Sequence, residues 1–131
     1  MIPTRQTRTG KIGNCFSACL ASILEIPLRE VPNFVDASTD EQFYENAAKW
    51  LASHGLYYVQ LKPDDPMLAV MFKEGPIYHT IEGISPRGGM HATVGLNGHM
   101  VWDPHPPDGT GRGLAKVLNV GIIGKSFSKG D

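Results

Sequence analysis

The dipeptide Asn97-Gly98 stands between two apolar runs, HATVGL (91–96) and HMVWDP (99–104). Nothing else limits the folding of this chain so sharply. Both residue types tolerate the positive φ angles that two-residue hairpin turns demand, so the pair specifies an antiparallel hairpin. Facing residues in such a hairpin keep a constant number sum, here 195, which sets His91 opposite Pro104 and beside Asp103. Neighbouring strands lie about 4.8 Å apart, close enough for an imidazole and a carboxylate to touch. A histidine and an aspartate twelve positions apart are therefore expected to meet at the open end of the hairpin.

Other runs rich in β-branched and aromatic residues, LYYVQL (56–61), PIYHTIEGI (76–84) and KVLNVGII (116–123), also read as strands. KPDDP (62–66) breaks the first of them, and MLAVMF (67–72) reads as a short helical piece. The N-terminal half differs. Asn14 is an N-cap candidate for a helix running through Leu20 and Ile23 to about Glu25, with Pro27 ending it. Residues 27–34 read as a helical turn and a loop. A second helix over 40–54 opens at Ser38-Thr-Asp-Glu41 and places Phe43, Ala47, Trp50 and Leu51 on one face, with Gly55 closing it. Helices followed by antiparallel strands form the α+β pattern, with N-terminal helices packed on an antiparallel sheet and the helices on one side of it. A chain of 131 residues fits a single domain spanning 1–131. The turn-rich segment 103–113 reads as an exposed loop.

The stretch GNCFSACLASILEIP places Cys15 where a glycine-containing loop becomes an amphipathic helix. Free cysteine is ordinarily a small buried hydrophobe. At a helix N-terminus, though, the helix dipole favours thiolate over thiol, which makes a nucleophile. Cys19 lies one turn further in and is expected in the core. Two thiols in one helix make no disulfide framework, so a reducing, cytoplasmic setting is expected. The opening MIPTRQTRTGKIG lacks the apolar region of a signal peptide, and no apolar stretch is long enough to span a bilayer. A net charge of -1 without a basic run argues against nucleic acid as a partner. A zinc site built from Cys15, His91, Asp103 and His105 would lack any short-spaced ligand pair, so neither metal nor cofactor is expected.

Cysteine at a helix start, histidine on a strand and an acid on the next strand supply a nucleophile, a base and an orienter. The order Cys…His…Asp, on a GNC-initiated helix followed by antiparallel strands, resembles the papain-like cysteine peptidases. It is most similar to their small forms, the bacteriocin-leader peptidase domains of ABC exporters and compact phage or bacterial proteins with a GNCF-type start. The resemblance runs from Gln6 to about Pro106. It implies a papain-like fold and hydrolysis of a peptide, isopeptide or amide bond in a peptide or protein substrate. Cys15 would be the nucleophile, His91 the base and Asp103 the orienter. It further implies an upstream glutamine in the oxyanion hole. Gln6 is the only candidate, nine residues before Cys15, with TRTGKIG absorbing a gap longer than the family's. The backbone N–H of Cys15 is a second donor. Asn14, Gly88, Gly89, Trp102 and His105 are expected to line the cleft, the glycines admitting an extended peptide. Trp102 either shields the His–Asp pair or packs on the opposite face. Two other functions fit the same residues: a non-catalytic binding or host-interaction module with a protein partner, and a cysteine acyltransferase.

Overall fold

The computed structural model of the chain describes residues 1–37, 40–107 and 112–125. The first helix, α1 (Cys15–Leu24), ends at Glu25, which adopts a left-handed φ of 59° two residues before Pro27. Its small residues let it lie close on the strands, and Ala18, Cys19, Leu20 and Ala21 are fully buried. A 3-10 turn over Leu28–Glu30 follows, as the sequence suggests. Helix α2 (Asp40–Ser53) buries Ala47 and Leu51, with Phe43, Tyr44 and Trp50 packed beside them. Gly55, at φ 74°, ends it by donating its N–H to the Ala52 carbonyl. Ser38 and Thr39, expected to open this helix, lie outside the described residues.

The strands β1 (Leu56–Leu61), β2 (Tyr78–Ile84), β3 (Met90–Leu96), β4 (His99–Trp102) and β5 (Lys116–Lys125) form one sheet in the order β1-β5-β2-β3-β4. Every pairing in it is antiparallel. The architecture is thus α+β, but the helices do not all lie on one side. Helix α3 (Pro66–Lys73) connects β1 to β2, which flank β5 and so run parallel to each other. Such a connection must cross a sheet face, and a helix is its usual vehicle. The core contacts fix which face. Phe16, Leu20 and Leu51 pack with Ala92 and Val94, whereas Leu68 of α3 packs with Val120 and Ile122. Val94 pairs with Thr80 and Val120 with the next residue, Ile81, so Val94 and Val120 point to opposite faces. α1 and α2 cover one face and α3 the other.

The hairpin carries a second correction. Leu96 pairs with His99 and Gly95 with Met100, keeping the expected sum of 195, but Val94 pairs with Trp102. A β-bulge has raised the sum to 196. Without it, Asp103 would fall opposite Ala92, with its side chain on the other face from His91. With it, Trp102 stands opposite Val94, and Asp103, the next residue, follows on the side that His91 shares. The expected contact forms because of a bulge the turn dipeptide does not announce.

The start of segment 103–113 is not exposed: Asp103, Pro104 and His105 are buried. The N-terminal arm covers it. Gln6 donates its backbone N–H to Pro104 O at 3.0 Å, Arg5 donates to His105 O at 2.8 Å, and the Trp102 indole donates to Thr4 O at 2.9 Å. Among the described residues no helix is long and apolar enough to cross a membrane.

Candidate active site

Asn14 precedes α1 in the N-cap position but makes no side-chain cap. Its Oδ1 instead accepts from the backbone N–H groups of Thr7 and Arg8, each at 2.9 Å, and its Nδ2 donates to Thr7 Oγ1 at 2.8 Å. The carboxamide thereby folds residues 7–14 back on themselves. Gly13 sits inside this loop, where a Cβ would come within 2.9 Å of the Gly10 carbonyl oxygen. This closure absorbs the nine-residue gap, and Gln6 and Cys15 line the same cavity. Gln6 is 6% exposed, and its Nε2 donates to Arg8 O at 2.9 Å. Its Oε1 is buried without a hydrogen-bond partner.

His91 and Asp103 meet. Nε2 of the ring lies 2.7 Å from Asp103 Oδ1, and both side chains are buried. The carboxylate is further held by the backbone N–H of His105 on Oδ1 (3.0 Å) and of Gly113 on Oδ2 (2.6 Å). These donors and His91 hold the Asp103 carboxyl down at about 2 although burial pushes the other way. His91 shows the mirror effect. Burial disfavours its charge, but hydrogen bonds to Asp103 and Cys15, together with their negative charge, raise it from 6.5 to about 9. With Nε2 engaged by Asp103, Nδ1 is the ring nitrogen left for Cys15. The imidazole–carboxylate pair thus stands beside the cavity that Cys15 also lines. Cys19 belongs to the core: it is fully buried, and burial followed by the charges of Cys15, Glu82 and Asp103 pushes its thiol up.

In front of Cys15 and His91 opens a cavity of about 1020 Å³. Asn14, Gly88, Gly89 and His105 line it as expected; Trp102 does not. That indole is occupied by Thr4, lies under the Arg5 guanidinium and packs against the core on the α1 face. The turn between β2 and β3 forms one lip. Ser85 donates its hydroxyl to Gly88 O and its N–H to Gly89 O, and both glycines hold positive φ, 85° and 76°. A side chain there would meet open space, so backbone conformation rather than room requires glycine. His105 stands edge-on to His91 with centroids 6.0 Å apart.

Other lining residues escape sequence reasoning. Phe43 reads as part of the apolar stripe of α2, and neither Tyr44 nor Phe16 is singled out by the sequence, yet all three line the cavity. Lys11 and Arg87 carry no signal beyond their charge. Among the described residues no group of three or more His, Cys, Asp and Glu is gathered to hold a metal ion. No protein-family model, curated protein or solved structure matches the chain.

Proposed function

We propose that this chain is a cysteine-dependent hydrolase of papain-like type that cleaves a peptide, isopeptide or amide bond. One observation carries the reading: a buried His91 that holds Asp103 at 2.7 Å on one ring nitrogen and lines the same cavity as Cys15. An isolated structural cysteine has no use for a positively charged partner that is itself oriented by a carboxylate.

In the proposed reaction the Cys15 sulfur attacks the substrate carbonyl carbon while Nδ1–H of His91 faces the departing amine. The carbonyl oxygen becomes an oxyanion beside the N-terminus of α1, where first-turn N–H groups have no intrahelical partner. The backbone N–H of Cys15 and the second N–H of the Gln6 amide are the proposed donors. Collapse breaks the C–N bond, and His91 gives its proton to the amine. His91 then takes a proton from water, which attacks the thioester, releases the acid and restores the starting pair. Asp103 holds Nε2–H throughout and fixes which nitrogen faces the sulfur.

The decisive experiment is the pH dependence of Cys15 alkylation by iodoacetamide in the wild type and in His91→Ala. A paired thiol reacts well below pH 7 and loses that reactivity in the variant. Reactivity that rises only near pH 8.5 and ignores the substitution describes an ordinary thiol and ends the proposal.

A further inference from the structure

The bulge that brings Asp103 to His91 lies between two fixed ends. At one of them Trp102 is anchored, its indole bonded to Thr4 O and packed against the core on the α1 face. The other end is the turn, and His79 of β2 holds it. His79 faces Gly95 across the β2–β3 pairing, and its ring fills the space that a side chain on Gly95 would need. Nε2 of that ring accepts from the N–H of Gly98, the second turn residue, at 2.9 Å, and Nδ1–H donates to Thr80 O at 3.1 Å. Phe72 of α3 stacks on the ring with centroids 5.3 Å apart, and His79 is fully buried. One imidazole thus ties the turn and the bulged part of β3 to β2.

Between these ends β4 carries one residue more than a plain hairpin needs. Gly95 pairs with Met100 and Val94 with Trp102, which leaves the exposed Val101 as the extra residue. Slack of a single residue is enough to turn a side chain to the opposite face. We infer that His79 is a positioning residue of the proposed active site: by pinning Gly98 and filling the space over Gly95, it keeps the slack at Val101 and so keeps Asp103 on the side of His91. The inference rests on the reading of His91 as base and Asp103 as orienter. His79 does not line the cavity and acts through the hairpin. Without the pin, the extra residue is free to pass along β4, and the carboxylate leaves the ring it orients.

An NMR titration of His91 reads the register without a substrate. Asparagine and glutamine at position 79 differ in reach, since a glutamine amide extends to where Nε2 meets Gly98 and an asparagine amide stops near Nδ1. In His79→Asn, His91 is expected to fall from about 9 most of the way to 6.5, whereas His79→Gln stays near the wild type. Below pH 7, alkylation of Cys15 by iodoacetamide should slow about tenfold in His79→Asn as its imidazolium partner is lost. Removing Val101 supplies the control. A hairpin without the extra residue brings Trp102 opposite Val94 in the plain register of its turn, so His79→Asn in that background should leave His91 unchanged. His79→Phe fills the ring's space without its nitrogens, is expected to behave as His79→Asn does, and replaces it should the asparagine variant not fold. The inference is overturned by a His91 titration that His79→Asn leaves unmoved, that asparagine and glutamine move equally, or that falls as far without Val101 as with it. Alkylation of Cys15 that ignores His91→Ala would end the hydrolase reading instead, with the His91 titration still reporting the register.

Discussion

Asp103 is fixed at three points, by the His91 ring and by two backbone N–H groups from positions 105 and 113. Replacing it with asparagine keeps an oxygen for His91 but turns an amide N–H toward the Gly113 N–H and removes the charge. The Asp103→Asn variant is expected to let His91 fall from about 9 back toward 6.5. The upper limit of thiol–imidazolium pairing should drop with it, which an NMR titration of the imidazole resolves directly. The proposed hydrolysis should slow by about 100-fold, the lower end of what a positioned acid–base group supplies. Gln6 separates two roles that the sequence could not. If its amide serves only the loop, Gln6→Glu weakens the Nε2 bond to Arg8 and leaves turnover of bound substrate alone. As an oxyanion donor, the same substitution lowers kcat far more than it raises KM, because a carboxylate repels the developing charge.

Among the elements, the β3–β4 hairpin shows where sequence reasoning reached and where it stopped. Asn97-Gly98 places the turn, and strand boundaries follow from HATVGL and HMVW. The bulge at Val94–Gly95 has one local signal, the glycine inside the strand run, which does not say where the register shifts. At Gly95 a Cβ would lie 2.3 Å from His79 Cε1 and 2.7 Å from Ile81 Cδ1. His79 cannot step aside: its Nε2 accepts from the Gly98 N–H at 2.9 Å, its Nδ1–H donates to Thr80 O, and its ring stacks on Phe72. Gly95→Ala should therefore cost about 1–3 kcal/mol in chemical denaturation, as overpacking does. Helix existence was legible from apolar spacing, but the face that α3 covers was not, because it depends on β5 inserting between β1 and β2. Asn14 makes the same point. Its position marks a helix start, whereas its side chain serves the loop before it. Asn14→Ala leaves two backbone donors and a hydroxyl without their partner and should destabilise by about 1–3 kcal/mol. Trypsin cleavage at Arg8 and Lys11 should accelerate, while Asn14→Asp, which keeps the acceptor, should restore most of the protection.

At the scale of the whole molecule, the buried histidines set a pH signature. His91 binds its proton more tightly folded than unfolded, so its contribution to stability is full below pH 6.5 and is lost as pH rises through about 9. The melting temperature is expected to decline over that interval by calorimetry, and His91→Ala should remove this part of the slope. His79 acts oppositely, because burial lowers its pKa and both ring nitrogens are committed in the neutral form. Its contribution is present above pH 6.5 and is lost as pH falls below it. The arm at residues 4–6, laid against residues 102–105, has a consequence in time. Its contacts close loops of 98 and 100 residues, among the longest the chain can make. During synthesis the helix bearing Cys15 emerges early, but His91 and the carboxylate that orients it come last, and the arm can lock only after both. Cys15 is thus without His91 while most of the polypeptide is still being made, so the order of assembly postpones the proposed reactivity until there is a folded protein around it.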